Sequence, residues 1–171
     1  MTFSKLTLPD GAVYVTGAAD AAKEHWDGET VAGQVVKAVE ERRYTLSMGY
    51  PADSPDIAKS RDGHLDFASA EEIEKAAWGY LSNGAEVGLF HEDGTEGAGR
   101  IVESYIYRGP DWPVSDDVVI KSGDWLIGTI WSEPAWDAIK AGDIRGTSMQ
   151  GKAVRQAPSP ADVAKVKARR G

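Results

Sequence analysis

The fold class is decided by residues 69–107, which read SAEEIEKAAWGYLSNGAEVGLFHEDGTEGAGRIVESYIY. The serine and two glutamates within 69–72 are typical of a helix N-terminus, where a serine oxygen caps free N–H groups and the helix dipole favours acids. The helix is predicted to continue to Asn83-Gly84. Two apolar strands, 87–90 and 100–107, follow with a glycine-rich turn between them, which predicts a β-hairpin with a long loop.

Patterns outside this stretch add further short elements. In chain order we expect a helix over 31–39 capped by Thr30, a strand over 44–50, a strand pair over 117–121 and 124–131, a helix over 134–141, and a strand over 144–154. Many short strands with three or four helices predict a β-rich α+β domain.

The length of 171 residues fits one domain, which we place at residues 1–154. Residues 155–171 are predicted to form a linker and a basic C-terminal helix or tail, because Pro158 and Pro160 precede a helical pattern. Residues 152–171 contain six basic residues and one acidic residue, whereas the rest of the chain contains 26 acidic and 13 basic residues. The tail is therefore either a solvated helix or a segment that docks onto an acidic partner.

Composition excludes several classes of protein. The chain has no cysteine, which rules out disulfides, cysteine-ligated metals and a thiol nucleophile. The net charge of −8 argues against general nucleic-acid binding. No apolar run approaches a membrane span and the N-terminus lacks a signal-peptide pattern, so we expect a soluble intracellular protein with no membrane or nucleic-acid partner.

Three residues carry groups suited to nucleophilic catalysis: His91 after a predicted strand, Glu103 within one, and Ser148 between Gly146 and Gly151. Serine is a weak nucleophile at neutral pH and needs a base within hydrogen-bond reach. Imidazole titrates near ~6.5, and a carboxylate on its other nitrogen would orient it. The spacing does not show that the three meet. A structural histidine, a surface glutamate and a serine at a strand bulge remain the alternatives.

The acidic turn after His91, with Glu92, Asp93 and Glu96, is an alternative ligand set for a metal ion or another ligand. No metal-ligand spacing recurs at the other two histidines, His25 and His64. We therefore predict no metal and no cofactor.

Six blocks between about residues 44 and 154 resemble the XkdF-like phage serine proteases. They are YPAD (50–53), DFASAEEIEKAAW (66–78), VGLFH (87–91), GRIVESYI (99–106), GDWLIG (123–128) and WDAIKAGDIRGTSMQG (136–151). Ser148 matches the serine of the family's Gly-x-Ser-x-x-Gly block, His91 matches its histidine, and Glu103 matches the glutamate of its Glu-Ser pair. The chain departs from the family at Thr147, where members usually have an aromatic residue.

The resemblance implies a phage prohead protease similar to herpesvirus assemblins, with a closed or partly open β-barrel core surrounded by helices. It implies a Ser-His-Glu endopeptidase that cleaves scaffold and major capsid proteins inside the procapsid, in the host cytoplasm. Because assemblins dimerise, a homodimer is a further expectation. The alternative is a non-catalytic capsid- or scaffold-associated protein that retains the protease fold.

Overall fold

The computed structural model describes residues 3–7, 14–17, 33–39, 42–55, 63–90, 94–116, 118–150 and 153–170. These residues form the following strands and helices: β1 (Phe3–Thr7), β2 (Tyr14–Gly17), β3 (Gly33–Val39), β4 (Tyr44–Tyr50), β5 (Leu65–Phe67), α1 (Ala70–Ser82), β6 (Val87–Leu89), β7 (Gly99–Ile106), β8 (Trp112–Ser115), β9 (Val118–Ile120), β10 (Trp125–Trp131), α2 (Glu133–Ala141), β11 (Gly146–Gln150), β12 (Val154–Gln156) and α3 (Pro160–Arg170). The predicted strand-rich α+β class is confirmed. None of these helices is long and apolar enough to cross a membrane.

A seven-stranded sheet holds most of the described strands, in the order β6-β2-β11-β3-β4-β10-β7. Strand β10 lies between β4 and β7 and pairs antiparallel with both. All of its residues except Ile130 are buried. A continuous apolar run bounded by turns is typical of such a central strand. Two smaller sheets have the orders β12-β1-β5 and β8-β9.

Helix α1 covers one face of the large sheet. Its N-terminus is as predicted, since the Ser69 hydroxyl accepts a hydrogen bond from the Glu72 N–H at 3.4 Å. Buried residues of α1, including Tyr80, pack with Trp125 and Ile127 of β10. The Tyr80 and Trp125 rings meet edge to face, with centroids 5.6 Å apart. This contact fixes the helix over the central strand.

Two other elements cover the rest of the sheet. Ile120 of β9 packs with Leu46 and Leu126 on the face opposite α1. Helix α2 packs against a cluster that includes Trp131 and Val87, and the Trp131 indole donates to the Thr45 hydroxyl at 2.8 Å. The core of the described chain therefore lies on both faces of β4 and β10.

Three sequence-based predictions are wrong. The helix expected over 31–39 is strand β3 within the described residues, because three of its seven residues are valines, whose branched side chains favour strands. The expected β6–β7 hairpin is absent, since β6 pairs parallel with β2 and β7 pairs antiparallel with β10. Strand β9 pairs with β8 and not with β10. Sequence patterns identified β6, β7 and β9 as strands but not their partners.

The outermost strands of the large sheet approach each other at one point. The Ala98 N–H, just before β7, donates to the Val87 carbonyl of β6 at 3.2 Å. No regular ladder joins β6 and β7 in the described part of the chain. The barrel core expected from the sequence therefore stays a prediction.

The predicted C-terminal helix is present as α3. Its Val166 is fully buried, and the preceding strand β12 pairs antiparallel with β1. The domain boundary at residue 154 stays a prediction, but the described residues after it contact the rest of the protein.

We expect Gly49→Ala to lower the free energy of unfolding. A methyl group at position 49 would lie 2.7 Å from Ile127 Cδ1 and 3.2 Å from Trp125 Cδ2. Overpacking of this kind costs ~1–3 kcal/mol, which urea titration measures. Ile127→Val removes the closest atom, so the double variant should be more stable than the sum of the two single effects. Strict additivity would contradict the steric explanation.

A second prediction concerns Asp53, whose Oδ1 is buried without a hydrogen-bond partner in the described part of the chain. Burial raises the pKa of Asp53, while Lys165 and Arg169 act in the opposite direction. The folded protein therefore binds this proton more tightly than the unfolded chain does. Stability is lost as pH rises from the unfolded pKa through the raised folded pKa.

We therefore expect Asp53→Asn to raise the melting temperature at neutral pH, because the amide has no charge to bury. Asparagine also tolerates the backbone φ of +50° at this position. The gain should shrink toward pH ~4, near the ordinary pKa of aspartate, where the wild-type carboxyl is protonated. Calorimetry across this range measures the effect, and a gain that does not vary with pH would contradict it.

Candidate active site

Ser148, the predicted nucleophile, lies in strand β11 inside the large sheet. Its backbone pairs with Thr16 of β2. Strand β3 pairs with Gly146 and Thr147 only, so among the described residues 148–150 have a strand partner on one side.

The residue before the predicted nucleophile anchors β11 to the sheet. Thr147 is 2% exposed and its hydroxyl donates to the Met48 carbonyl of β4 at 3.3 Å. Buried hydroxyl groups need such partners. Thr147 therefore makes a specific contact of its own directly beside Ser148.

His91 lies outside the described residues, but the strand that leads to it is described. Leu89, the last residue of β6, pairs with Gly17 of β2, and Gly17 pairs with Thr147 of β11. Leu89 and Thr147 are thus level with each other and two strands apart, roughly 10 Å at the usual strand spacing. The chain leaves β6 toward His91 at the level of the residue that precedes Ser148.

The described residues on either side of positions 91–93 are held in place. Phe90 turns the chain with a φ of +55°. The Thr95 hydroxyl accepts a hydrogen bond from the Leu89 N–H at 2.8 Å and donates to the Leu89 carbonyl at 3.0 Å. Strand β6 lies at the edge of the sheet and pairs with β2 on one side only. On its other side, these contacts and the hydrogen bond from Ala98 to Val87 satisfy backbone groups of β6.

Glu103, the predicted orienting carboxylate, lies opposite Gly128 in the β7–β10 pair. Its carboxylate accepts a short hydrogen bond from the Tyr44 hydroxyl. Gly128 leaves the space for this contact, since a Cβ there would lie 2.7 Å from Glu103 Oε2. Burial raises the pKa of Tyr44, and the Glu103 carboxylate raises it further, so the phenol remains protonated and donates.

The sheet separates Glu103 from Ser148 but places both residues on one face. Strands β3, β4 and β10 lie between β11 and β7. Paired residues in a sheet share a face, and successive residues alternate. Thr147 pairs with Gly33, and Val35, two residues further along β3, lies on the same face as Gly33. From Val35 the register continues across the sheet through Ser47 and Ile127 to Ser104. Thr147 and Ser104 therefore share one face, and their neighbours Ser148 and Glu103 share the other.

The proposed alternatives at this site stay predictions as well. No group of three or more histidine and acidic residues in the described chain could hold a metal ion. His91, Glu92 and Asp93 of the alternative metal cluster lie outside the described residues.

Sequence reasoning missed two contact residues, Tyr44 and Thr95. Tyr44 is 59 positions from Glu103 along the chain, so no local pattern connects the two. Thr95 is six positions from Leu89, inside a turn that was recognised only by its glycines. A hydroxyl residue in such a turn is a signal that could have been used.

We expect Thr95→Val to loosen the attachment between Leu89 and residues 94–98. The variant keeps the shape of the side chain but leaves the Leu89 N–H and carbonyl without these partners, at a cost of ~1–3 kcal/mol. Hydrogen exchange should accelerate at Leu89 and at residues 94–98. The matched control Thr95→Ser keeps the hydroxyl and should exchange like the wild type, and unchanged exchange in both variants would refute the anchoring role.

Comparison with known proteins gives a family match over residues 33–156, to a model described as "Putative phage serine protease XkdF". The "Phage-like element PBSX protein XkdF" of Bacillus subtilis (strain 168) is 40% identical over 116 residues, 67% of this chain and 38% of that protein. The "Uncharacterized protein YqbD" of the same strain is 36% identical over 119 residues, 70% of this chain and 34% of that protein.

The chain thus spans just over a third of the length of these curated relatives. No solved structure matches it. Because the family model covers most of the chain, including β7 and β11, the resemblance seen in the sequence is confirmed. The protein belongs to the family of phage proteins described as "Putative phage serine protease XkdF".

Proposed function

We propose that the protein is a serine endopeptidase that cleaves scaffold and major capsid proteins inside an assembling phage procapsid. The observation that carries the proposal is the register that joins Leu89, Gly17 and Thr147. It brings the end of the strand before His91 level with the start of the strand that contains Ser148.

In this mechanism the Ser148 hydroxyl attacks the scissile carbonyl and His91 takes its proton. His91 then returns the proton to the leaving amine, and water hydrolyses the acyl-enzyme by the same base catalysis. Glu103 orients His91 and stabilises the imidazolium ion. Glu103 lies on the same face of the sheet as Ser148, which supports this role. In a partly open barrel β7 would lie beside β6, so that only β6 and β2 would separate β7 from β11 on that side.

The second candidate is a structural capsid- or scaffold-associated protein that retains the fold without catalysis. The contact between Tyr44 and Glu103 favours it, because the carboxylate already has a hydrogen-bond donor within the sheet. Three strands also separate β7 from β11 in the sheet order. In both candidates the protein acts in the host cytoplasm during assembly, and a homodimer is part of the proposal.

Co-expression with the scaffold and major capsid proteins of the same phage tests the proposal. We expect Ser148→Ala and His91→Ala each to slow scaffold cleavage by ~10⁴-fold or more, as loss of a nucleophile or base does in serine proteases. Ser122→Ala, at an exposed turn, is the matched control and should cleave normally. Normal cleavage by the Ser148 and His91 variants would exclude the catalytic assignment.

The role of Glu103 has its own test with a fluorophosphonate probe, which reacts with an activated serine. If Glu103 orients the base, Glu103→Gln should slow labelling of Ser148 by at least ~100-fold. Tyr44→Phe removes the competing donor while keeping the carboxylate, so labelling should persist. Equal labelling of the wild type and Glu103→Gln would assign the carboxylate to sheet stability alone.

A further inference from the structure

The C-terminal segment, residues 153–170, is attached to the rest of the protein near both of its ends. Strand β12 pairs with β1, and Nη2 of Arg155 lies 2.5 Å from Oδ2 of Asp66. At the other end of the segment, Val166 of α3 is fully buried. We call residues 153–170 the C-terminal strap. Two of its basic residues, Arg155 and Arg169, form ion pairs with Asp66 and Asp124 of the same chain.

The strongest attachment of the C-terminal strap is a buried ion pair. Asp124 is fully buried, and Nη2 of Arg169 lies 2.7 Å from its Oδ1 and 2.8 Å from its Oδ2. The Ala52 and Lys121 N–H groups donate to the same carboxylate at 2.9 and 2.8 Å. The Lys121 ammonium also donates to the Arg169 carbonyl at 3.1 Å. Removal of Arg169 would leave a buried carboxylate without its counter-charge, which is strongly unfavourable.

The C-terminal strap begins three residues after the last residue of β11. From Gln150 to Val154 the chain can span at most about 14 Å, so docking of the strap limits where β11 can end. The other end of β11 is held by β3 and by the Thr147 hydroxyl. Ser148 lies between these two attachments, in the half of β11 that has β2 as its described strand partner.

We propose that Arg169 is a positioning residue for Ser148, acting through the C-terminal strap that holds the end of β11. The inference rests on the proposed function for its effect on catalysis, but its structural part does not. The ion pair of Arg169 and Asp124 fixes the strap, the strap fixes the exit of β11, and β11 holds Ser148 in register with β2. Arg169 lies outside the span of the family match.

The test uses the full chain with three substitutions. Arg169→Met removes the charge and keeps most of the side-chain volume, while Arg169→Lys keeps the charge and loses the guanidinium geometry. Lys167→Met removes an exposed charge from the same helix and is the matched control. Each variant is measured by hydrogen exchange of residues 148–150 and 125–131, and by the rate of fluorophosphonate labelling at Ser148.

We expect Arg169→Met to accelerate exchange at residues 148–150 by ~10-fold or more while residues 125–131 of β10 stay protected, as in local opening. Labelling of Ser148 should slow in parallel, Arg169→Lys should recover part of both effects, and Lys167→Met should match the wild type. If Arg169→Met does not fold, Arg155→Met breaks the more exposed pair of the strap and should give the same pattern with smaller changes.

Two results would overturn the proposal. Unchanged exchange at residues 148–150 would show that the strap does not hold β11, and equal acceleration in β10 would reduce Arg169 to a general stabilising role. A wild-type chain that the probe never labels would refute the proposed function instead. Hydrogen exchange would still decide whether Arg169 positions β11.

Discussion

The buried carboxylate of Asp124 is the constraint that ties the C-terminal strap to the core of the described structure. A charge that is fully removed from water must have its oxygens satisfied by donors, or folding becomes unfavourable. Asp124 meets this condition with donors from three separate segments: Ala52 after β4, Lys121 before β10, and Arg169 in α3. The carboxylate therefore brings these segments together immediately before Trp125, the first core residue of β10.

Local patterns were sufficient where short-range physics decides the structure. The Ser69 cap, the strand over 44–50 and the C-terminal helix were predicted because capping, alternation and helical spacing act within a few residues. Local patterns failed at residues 33–39, because the spacing of the valines in this short segment fits both a helix and a strand. Strand partners could not be predicted either, because a local pattern does not report on distant segments. Strand β6, for example, pairs with β2, which ends 70 residues earlier in the chain.

The candidate site shows the same division. Residue chemistry and a family resemblance selected Ser148, His91 and Glu103, and the family itself is confirmed. The geometry between them depends on sheet register, which a single sequence does not encode in any local pattern. The sequence alone could not indicate that Glu103 meets Tyr44, or that Arg155 and Arg169 of the basic tail pair with aspartates of the same chain.

Gly128 has a consequence for how this family can vary. Two side chains from flanking strands, Tyr44 and Glu103, meet over the space that a side chain at position 128 would occupy. The three positions therefore share one fixed volume. A homologue with a larger residue at the position of Gly128 must carry smaller or differently directed residues at the other two, so these positions are expected to change together and not one at a time.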